Sequence, residues 1–287
     1  MTDPQRTLRI GRIDFTNVWP VYHYFPVDQF GSSIEIISQV PTDLNRNMRN
    51  GSIDIGPISS FAYAESHHQY YLLPDLSVSA YGSVRSILLF YKDSIDRVKN
   101  GRIALTTASA TSVNLLKIIL QKFHGGKPEY SFATPSLHDM MEGMDGALLI
   151  GDDAIRASWE QHDYQVLDLG AEWTRLTGYW MTFAVWAIQR EAIESMPALI
   201  NQVQAAFLAS KKKGTADPSE IISAAKDRLG GTTDFWREYF SDLSYEFSEE
   251  QEKGLQLYYL YALELGLLSG EVPLNLWNNT KILQVNE

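Results

Sequence analysis

Short apolar runs alternate with helix-forming segments through the first two-thirds of this chain, and this order restricts the folds open to it. Strands are predicted at Leu8–Ile13, Ile34–Ser38 and Ile53–Ile55. The helices predicted among them are Val18–Phe25, opened by Asn17, one from Thr42 ended by Asn50-Gly51, and one from Pro57 through Glu65. A repeated strand–helix order favours an α/β fold with a parallel, doubly wound sheet, because crossover helices connect parallel strands.

A second run of the same kind follows two longer predicted strands, Leu72–Ala80 and Val84–Tyr91. Its predicted elements are strand Arg102–Leu105, helix Thr111–Phe123, strand Glu129–Ala133, helix Ser136–Glu142, strand Ala147–Ile150, helix Asp152–Ser158 and strand Gln165–Asp168. The sequence between the two runs is not a Pro/Gly/Ser-rich linker, so structured strands must cross from one unit to the other.

After a last predicted strand at Phe183–Ile188, only helices are predicted. They are Glu191–Lys213, Pro218–Leu229, Thr233–Phe240 and Glu249–Leu268. Their apolar stripes need a partner, so we expect them to pack on the first sheet.

Two lobes follow from this order. Lobe one comprises residues 1–91 and 184–287, lobe two is the insert 92–183, and the hinge lies near Phe90–Lys92 and Thr182–Ala184. Because ligands of open α/β sheets bind at the carboxyl ends of strands, the expected site is the cleft between the lobes.

Composition narrows the possible partners. Of the 287 residues, 45% are hydrophobic and 21% are charged, which is typical of a globular protein. The formal net charge of −11 argues against binding to nucleic acid or to an anionic membrane, both of which need a basic surface. A small anion remains compatible with this charge, because its binding depends on the local field.

The chain contains no cysteine, which excludes disulfides, cysteine-ligated zinc and thiol catalysis. The first fifteen residues do not resemble a signal peptide, and no apolar segment approaches the ~20 residues needed to span a bilayer. These features predict a soluble cytoplasmic protein. The six histidines show no metal-ligand spacing, and Asp152-Asp153 is explained by a helix start, so neither a metal nor a cofactor is predicted.

Polar residues cluster at the strand-to-helix turns. Free backbone N–H groups at helix starts favour anions, and hydroxyls beside them complete a carboxylate site. The candidate residues are Asn17, Ser59, Ser60, Ser86, Thr111, Ser112, Gly151 and Asp152. Any one of them taken alone is more simply a helix cap, and Arg85 is more simply a surface charge. Their shared location at facing sheet ends favours a ligand site.

Several segments resemble the chorismate dehydratases, which act first in the futalosine route to menaquinone. The matching stretches are R-I-G-R-I-D-F-T-N-V-W-P, G-S-I-D-I-G-P-I-S-S-F-A-Y-A, G-S-V-R-S-I-L-L-F, A-T-S-V-N-L-L, L-L-I-G-D-D-A-I and, more weakly, T-F-A-V-W-A. The resemblance implies a two-lobed, type II periplasmic-binding-protein-like fold. It also implies dehydration of chorismate to 3-[(1-carboxyvinyl)oxy]benzoate without a cofactor, because formation of an aromatic ring drives the elimination.

The resemblance also implies roles for individual residues. Asn17 matches an asparagine important for catalysis, and Ser86, Thr111 and Ser112 match residues that line the ligand site. Ser59 and Ser60 match the family's Ser-Ser turn. The sister lyase, which acts on a later naphthoate precursor, uses a histidine that we expect on the turn Leu149–Asp152, where this chain has none.

Asn17 is not a general base, because an amide does not titrate in the usable range, so it is expected to hold a substrate carboxylate or the departing hydroxyl. The base is then a substrate carboxylate, a water or another group. Three other functions share this fold: a non-catalytic small-anion solute-binding protein, the sister lyase and a ligand-sensing domain. No sequence feature specifies an oligomeric state.

Overall fold

The structure is a computed structural model that describes residues 6–277. Residues 1–5 and 278–287 of the predicted lobe one lie outside the described residues. The strands are β1 Leu8–Ile13, β2 Ile34–Gln39, β3 Ile55–Ser59, β4 Tyr70–Ala80, β5 Ile87–Tyr91, β6 Arg102–Thr106, β7 Glu129–Ala133, β8 Gly146–Ile150, β9 Gln165–Asp168, β10 Met181–Gln189 and β11 Leu243–Ser244.

The α-helices, in chain order, are α1 Trp19–Tyr22, α2 Val27–Phe30, α3 Pro41–Arg49, α4 Ser60–Ser66, α5 Ile95–Val98, α6 Ala110–Ile118, α7 Leu137–Met141, α8 Gly151–Trp159, α9 Leu169–Thr177, α10 Arg190–Ser195, α11 Pro197–Ala216, α12 Ser219–Leu229, α13 Thr233–Asp242 and α14 Glu249–Glu264. A 3-10 turn, Thr16–Val18, precedes α1, and a π-helical turn, Ile119–Phe123, continues α6. None of the helices within residues 6–277 is long and apolar enough to cross a membrane.

The strands form two sheets, as the sequence predicts. The first sheet has six strands in the order β11-β4-β10-β3-β1-β2, and the second has five in the order β7-β6-β8-β5-β9. Parallel pairing joins β1 to β2 and β3, and β6 to β7 and β8. The strands nearest the crossings run antiparallel to their neighbours, since β10 pairs with β3 and β4 while β5 pairs with β8 and β9.

The strand pairing places the crossings between the two sheets at other residues than those predicted. A boundary at residue 92 would place β5 in lobe one, whereas the strands with which β5 pairs in residues 6–277, β8 and β9, belong to the second sheet. The chain therefore passes to the second sheet through residues 81–86 and returns through residues 178–180. The first crossing contains Arg85, whose φ of 56° lies in the left-handed region. Its neighbouring backbone is held by Asp168, which accepts hydrogen bonds from the N–H groups of Val84 and Arg85.

The C-terminal helices pack on the first sheet, as predicted. Helix α14 lies against β10, and α11 lies against α1 and β4. The core there is aromatic: Trp186 of β10 is fully buried against Tyr22 and Phe207. The single helix predicted from Glu191 to Lys213 is divided at Met196, because Pro197 lacks an N–H and disfavours a helical residue before it.

The helix predicted to begin at Pro57 is wrong at its start. Pro57 lies inside β3, opposite Trp186 of β10, and the helix begins at Ser60. Proline fits here because the pairing of β3 with β1 ends at Ile55, so the side facing β1 does not require a donor at Pro57. Burial of the whole strand outweighs the local preference of proline for a helix start.

Candidate active site

A cavity lies between the two sheets, at the carboxyl ends of β1 and β3 on one side and of β6 and β8 on the other. Its volume is about 50 Å³, well below that of typical small-molecule sites, so the lobes of this closed arrangement must adjust to hold a ligand. The residues that line it are Ile13, Phe15, Asn17, Pro41, Ser59, Val78, Val84, Ser86, Ile87, Ser109, Ser112, Ile150, Gly151, Phe183, Ala184 and Leu243. The cavity nevertheless lies at the predicted location, between the carboxyl ends of strands in the two sheets.

Five predicted site residues line this cavity: Asn17, Ser59, Ser86, Ser112 and Gly151. The other three, Ser60, Thr111 and Asp152, do not belong to its lining and are bound to partners across the interlobe contact. Ser109 also lines the cavity, although the sequence did not single it out. Its signal was the polar segment Thr106–Ser112, from which the sequence analysis selected only Thr111 and Ser112.

Asn17 occupies the middle of the 3-10 turn Thr16–Val18, directly after β1. Its predicted role as the cap of the next helix is wrong, because in the described structure neither the turn nor α1 receives a side-chain capping bond. The Oδ1 atom of Asn17 is buried and has no hydrogen-bond partner among the described residues. An unpaired buried amide oxygen is costly, so a side chain in this state is consistent with a ligand-binding group.

The serines at the helix starts retain free donors. Ser59 caps α4, since its Oγ accepts the N–H of Ala62 at 3.2 Å. Ser109 caps α6 in the same way by accepting the N–H of Ser112 at 3.2 Å. Its Oγ also lies 3.1 Å from the Oγ of Ser112, so one of these two hydroxyls donates to the other and the second keeps a free hydrogen. A hydroxyl that accepts a capping bond still has its own hydrogen to donate, so the cap and the ligand contact are compatible. These residues are caps and cavity-lining groups at once.

Ser86 is the last residue of the first crossing, directly before β5, and is buried. Its Oγ lies 3.2 Å from the carbonyl oxygen of Val84 and 3.3 Å from the hydroxyl of Tyr239. Burial raises the pKa of Tyr239, so this phenol stays protonated and donates to Ser86. Ser86 is thereby oriented from α13, a helix that is distant in the sequence.

Gly151 begins α8 with a φ of 60°, which an L-residue rarely adopts. A Cβ atom at this position would lie 2.7 Å from the Phe15 ring. The absent side chain therefore allows the start of α8, in the second lobe, to approach the turn after β1 in the first.

Ser60 and Thr111 bind each other across the lobes. Their hydroxyl oxygens are 3.2 Å apart, and the Oγ1 of Thr111 also accepts the N–H of Phe61 at 2.9 Å. The Ser60 hydroxyl donates to the carbonyl oxygen of Thr182 at 2.8 Å. Both side chains are fully buried. Their bonds join α4 to α6 behind the cavity wall.

Asp152 forms the second buried contact between the lobes. Its Oδ1 accepts the N–H of Thr16 at 3.1 Å and the Thr16 hydroxyl at 2.8 Å. Burial raises the pKa of Asp152, and the two Thr16 hydrogen bonds oppose that rise. The predicted contact between Asp152 and substrate is replaced here by a contact with the chain itself.

The cavity lining contains no charged side chain among the described residues. Arg85 pairs with Glu238 and Asp242 instead, in agreement with the prediction of a surface charge. Within residues 6–277, no group of three or more metal-binding side chains is assembled.

The hydrogen bonds between the lobes belong to a closed arrangement, so we predict that the lobes move together when a ligand binds. Thr42 donates to the carbonyl oxygen of Thr107 at 2.9 Å, in addition to the two buried contacts above. We expect an aromatic dicarboxylate to favour this closed arrangement and to reduce the radius of gyration measured by small-angle X-ray scattering. An unchanged radius at saturating ligand would contradict domain closure.

Comparison with known proteins agrees with this architecture. The periplasmic aliphatic sulphonate-binding protein of Escherichia coli superposes with a TM-score of 0.68 at 18% identity, covering 96% of this chain and 92% of that one. At this identity the likeness concerns the fold alone. It confirms the predicted two-lobed, periplasmic-binding-protein-like fold.

Sequence comparison is more specific. A chorismate dehydratase of Thermus thermophilus is 31% identical over 273 residues, which cover 90% of this chain and 95% of that protein. A chorismate dehydratase of Campylobacter jejuni is 28% identical over 188 residues, or 64% of this chain and 69% of that protein. A family model described as menaquinone biosynthesis matches residues 8–264, which include both sheets and the cavity. The chain therefore belongs to the menaquinone biosynthesis family.

Proposed function

We propose that this protein is a chorismate dehydratase, a carbon–oxygen lyase that converts chorismate to 3-[(1-carboxyvinyl)oxy]benzoate and water. The observation that most supports it is the unpaired, buried Oδ1 of Asn17 at the wall of an uncharged interlobe cavity. The substrate, chorismate, is inferred from the long sequence match to a chorismate dehydratase. The proposal includes a cytoplasmic location, where biosynthetic intermediates such as chorismate are made.

The reaction removes one ring proton and the ring hydroxyl, and the electrons of the broken C–H bond complete the aromatic ring. Substrate carboxylates are held by the serine hydroxyls and the free N–H groups at the start of α6. The unpaired Oδ1 of Asn17 accepts from the departing hydroxyl, and its amide N–H donates to charge that develops as the proton leaves. Because the lining lacks aspartate, glutamate and histidine among the described residues, the base is a substrate carboxylate or a water.

Incubation of the protein with chorismate tests this function. We expect the diene absorbance to fall as one equivalent of the aromatic product appears by mass spectrometry. A non-catalytic solute-binding protein would bind chorismate and leave it unchanged. Catalytic turnover of naphthoate precursors in place of chorismate would instead identify the sister lyase.

Removal of the hydroxyl is expected to weaken ligand binding at Ser86 and to lower stability at Thr111. Ser86→Ala removes a hydroxyl from the cavity wall, which in the described structure donates to the carbonyl oxygen of Val84 and must turn to reach a ligand. Affinity for the aromatic product should fall by about 1–3 kcal/mol, roughly 5- to 150-fold. Thr111→Val leaves the buried N–H of Phe61 without an acceptor, so the free energy of unfolding should fall by about 1–3 kcal/mol.

Calorimetric titration and thermal melts of the two variants separate these effects. Unchanged affinity in Ser86→Ala would remove Ser86 from the binding site. A normal melting temperature in Thr111→Val would mean that its interlobe bonds contribute little to stability.

A further inference from the structure

The turn that presents Asn17 is held from the opposite lobe. Thr16, the first residue of that turn, is fully buried, and both its N–H and its hydroxyl donate to one oxygen of Asp152. The two residues are 136 positions apart in the chain, so only closure of the lobes brings them together. Asp152 thus supplies the acceptor that the turn does not receive from its own neighbouring residues.

A second residue forms hydrogen bonds to the chain just before this turn, on its outer side. Arg228 of α12 donates to the carbonyl oxygen of Asp14 at 3.0 Å and to its carboxylate at 3.2 Å. Its Nη2 also lies 3.6 Å from the Oδ2 of Asp152. Residues 14–17 are therefore enclosed between α8 of the second lobe and α12 of the first.

The state of Asp152 argues against direct substrate binding. Its Oδ1 is already occupied by Thr16, and its buried Oδ2, which has no hydrogen-bond partner within residues 6–277, belongs to a side chain outside the cavity lining. A buried carboxylate would also repel an anionic substrate. Asn17, by contrast, lines the cavity, and its Oδ1 has no partner within residues 6–277, so no bond to that atom fixes the side chain. Its placement depends on the backbone of the turn, and that backbone depends on Asp152.

We propose that Asp152 is a positioning residue, which binds Thr16 when the lobes close and thereby places the Asn17 amide in the cavity. The inference rests on the proposed function, since Asn17 acts on substrate only if the cavity is the active site. This role couples lobe closure to assembly of the catalytic site, because the hydrogen bonds between Asp152 and Thr16 both join the lobes and place the turn that contains Asn17.

Steady-state kinetics of chorismate dehydration test the proposal. Asp152→Ala should lower kcat about tenfold, with a change in KM of less than about threefold, because the loss affects the transition state more than substrate binding. In an Asn17→Ala background the same substitution should lower kcat less than about twofold, because a positioning effect needs the group that is positioned. Asp153→Ala, which removes the adjacent and more exposed carboxylate, is the matched control and should retain normal kcat.

Amide exchange gives a readout that does not need turnover. The N–H of Trp19 donates to the carbonyl oxygen of Thr16 and closes the 3-10 turn. In protein saturated with an aromatic dicarboxylate, which favours the closed arrangement, Asp152→Ala should accelerate exchange at Thr16 and Trp19, whereas Asp153→Ala should not. Thr16→Val should reproduce this change in part, and Thr16→Ser should restore the wild-type rate, which keeps the test available if Asp152→Ala folds poorly.

The outcomes distinguish the two proposals. If the wild type does not dehydrate chorismate, the proposed function fails, and the exchange rates alone judge the role of Asp152. Unchanged exchange at Trp19 would overturn the positioning role. So would a KM effect without a kcat effect, or an equal loss of kcat in the wild-type and Asn17→Ala backgrounds.

Discussion

Asn17→Asp is expected to lower chorismate turnover by at least ~10²-fold while the protein remains folded. The substitution keeps the shape of the side chain but replaces the amide donor with a negative charge, which repels the charge that develops in the transition state. The free energy of unfolding should change by less than about 2 kcal/mol, because Asn17 makes no capping bond in the described structure and its Oδ1 has no partner to lose.

The controls for this variant separate charge from position. Asn50→Asp adds the same charge at an exposed helix end, where Asp preserves the bond that Oδ1 accepts from the N–H of Ser52. It should retain full turnover. Dehydration rate and melting temperature are measured together for both variants. A stable Asn17→Asp protein with normal turnover would show that Asn17 only shapes the turn.

Gly151→Ala is expected to reduce turnover to a similar extent, by roughly 10²-fold, because misplacement of catalytic groups by about 1 Å has effects of this size. The added Cβ would lie 2.7 Å from the Phe15 ring, so either the ring or the start of α8 must move. Phe15 immediately precedes the turn that contains Asn17. The displaced contact therefore disturbs both the cavity wall and the approach of the lobes.

A matched glycine separates this clash from backbone strain. Gly143 has a φ of 66°, close to the 60° of Gly151, but a Cβ there meets no atom within 4 Å. Both alanine variants should lose about 1 kcal/mol of stability or somewhat more, because alanine disfavours positive φ. Only Gly151→Ala should lose turnover. Equal activity of the two variants in the dehydration assay would contradict the close approach of Gly151 and Phe15.

Much of the secondary structure follows from the sequence alone. The strands Leu8–Ile13, Glu129–Ala133 and Gln165–Asp168 have the predicted bounds, since each is a short run flanked by turn residues. The two-sheet α/β architecture also follows, because alternating strands and helices leave few topologies. The prediction failed where buried pairing outweighs local preference, as at Pro57, which lies in a strand because β10 covers it.

The sequence by itself also determined that the candidate residues lie at strand ends. Polar residues where a strand is followed by a helix can be recognised from the order of residues alone. Only the tertiary structure decided which of them face the cavity. Ser60, Thr111 and Asp152 have the same local pattern as Ser59, Ser112 and Gly151, yet their side chains bind the opposite lobe. The physical reason is that a hydrogen bond between lobes joins residues more than fifty positions apart, and local propensity contains no information about which distant donor will arrive.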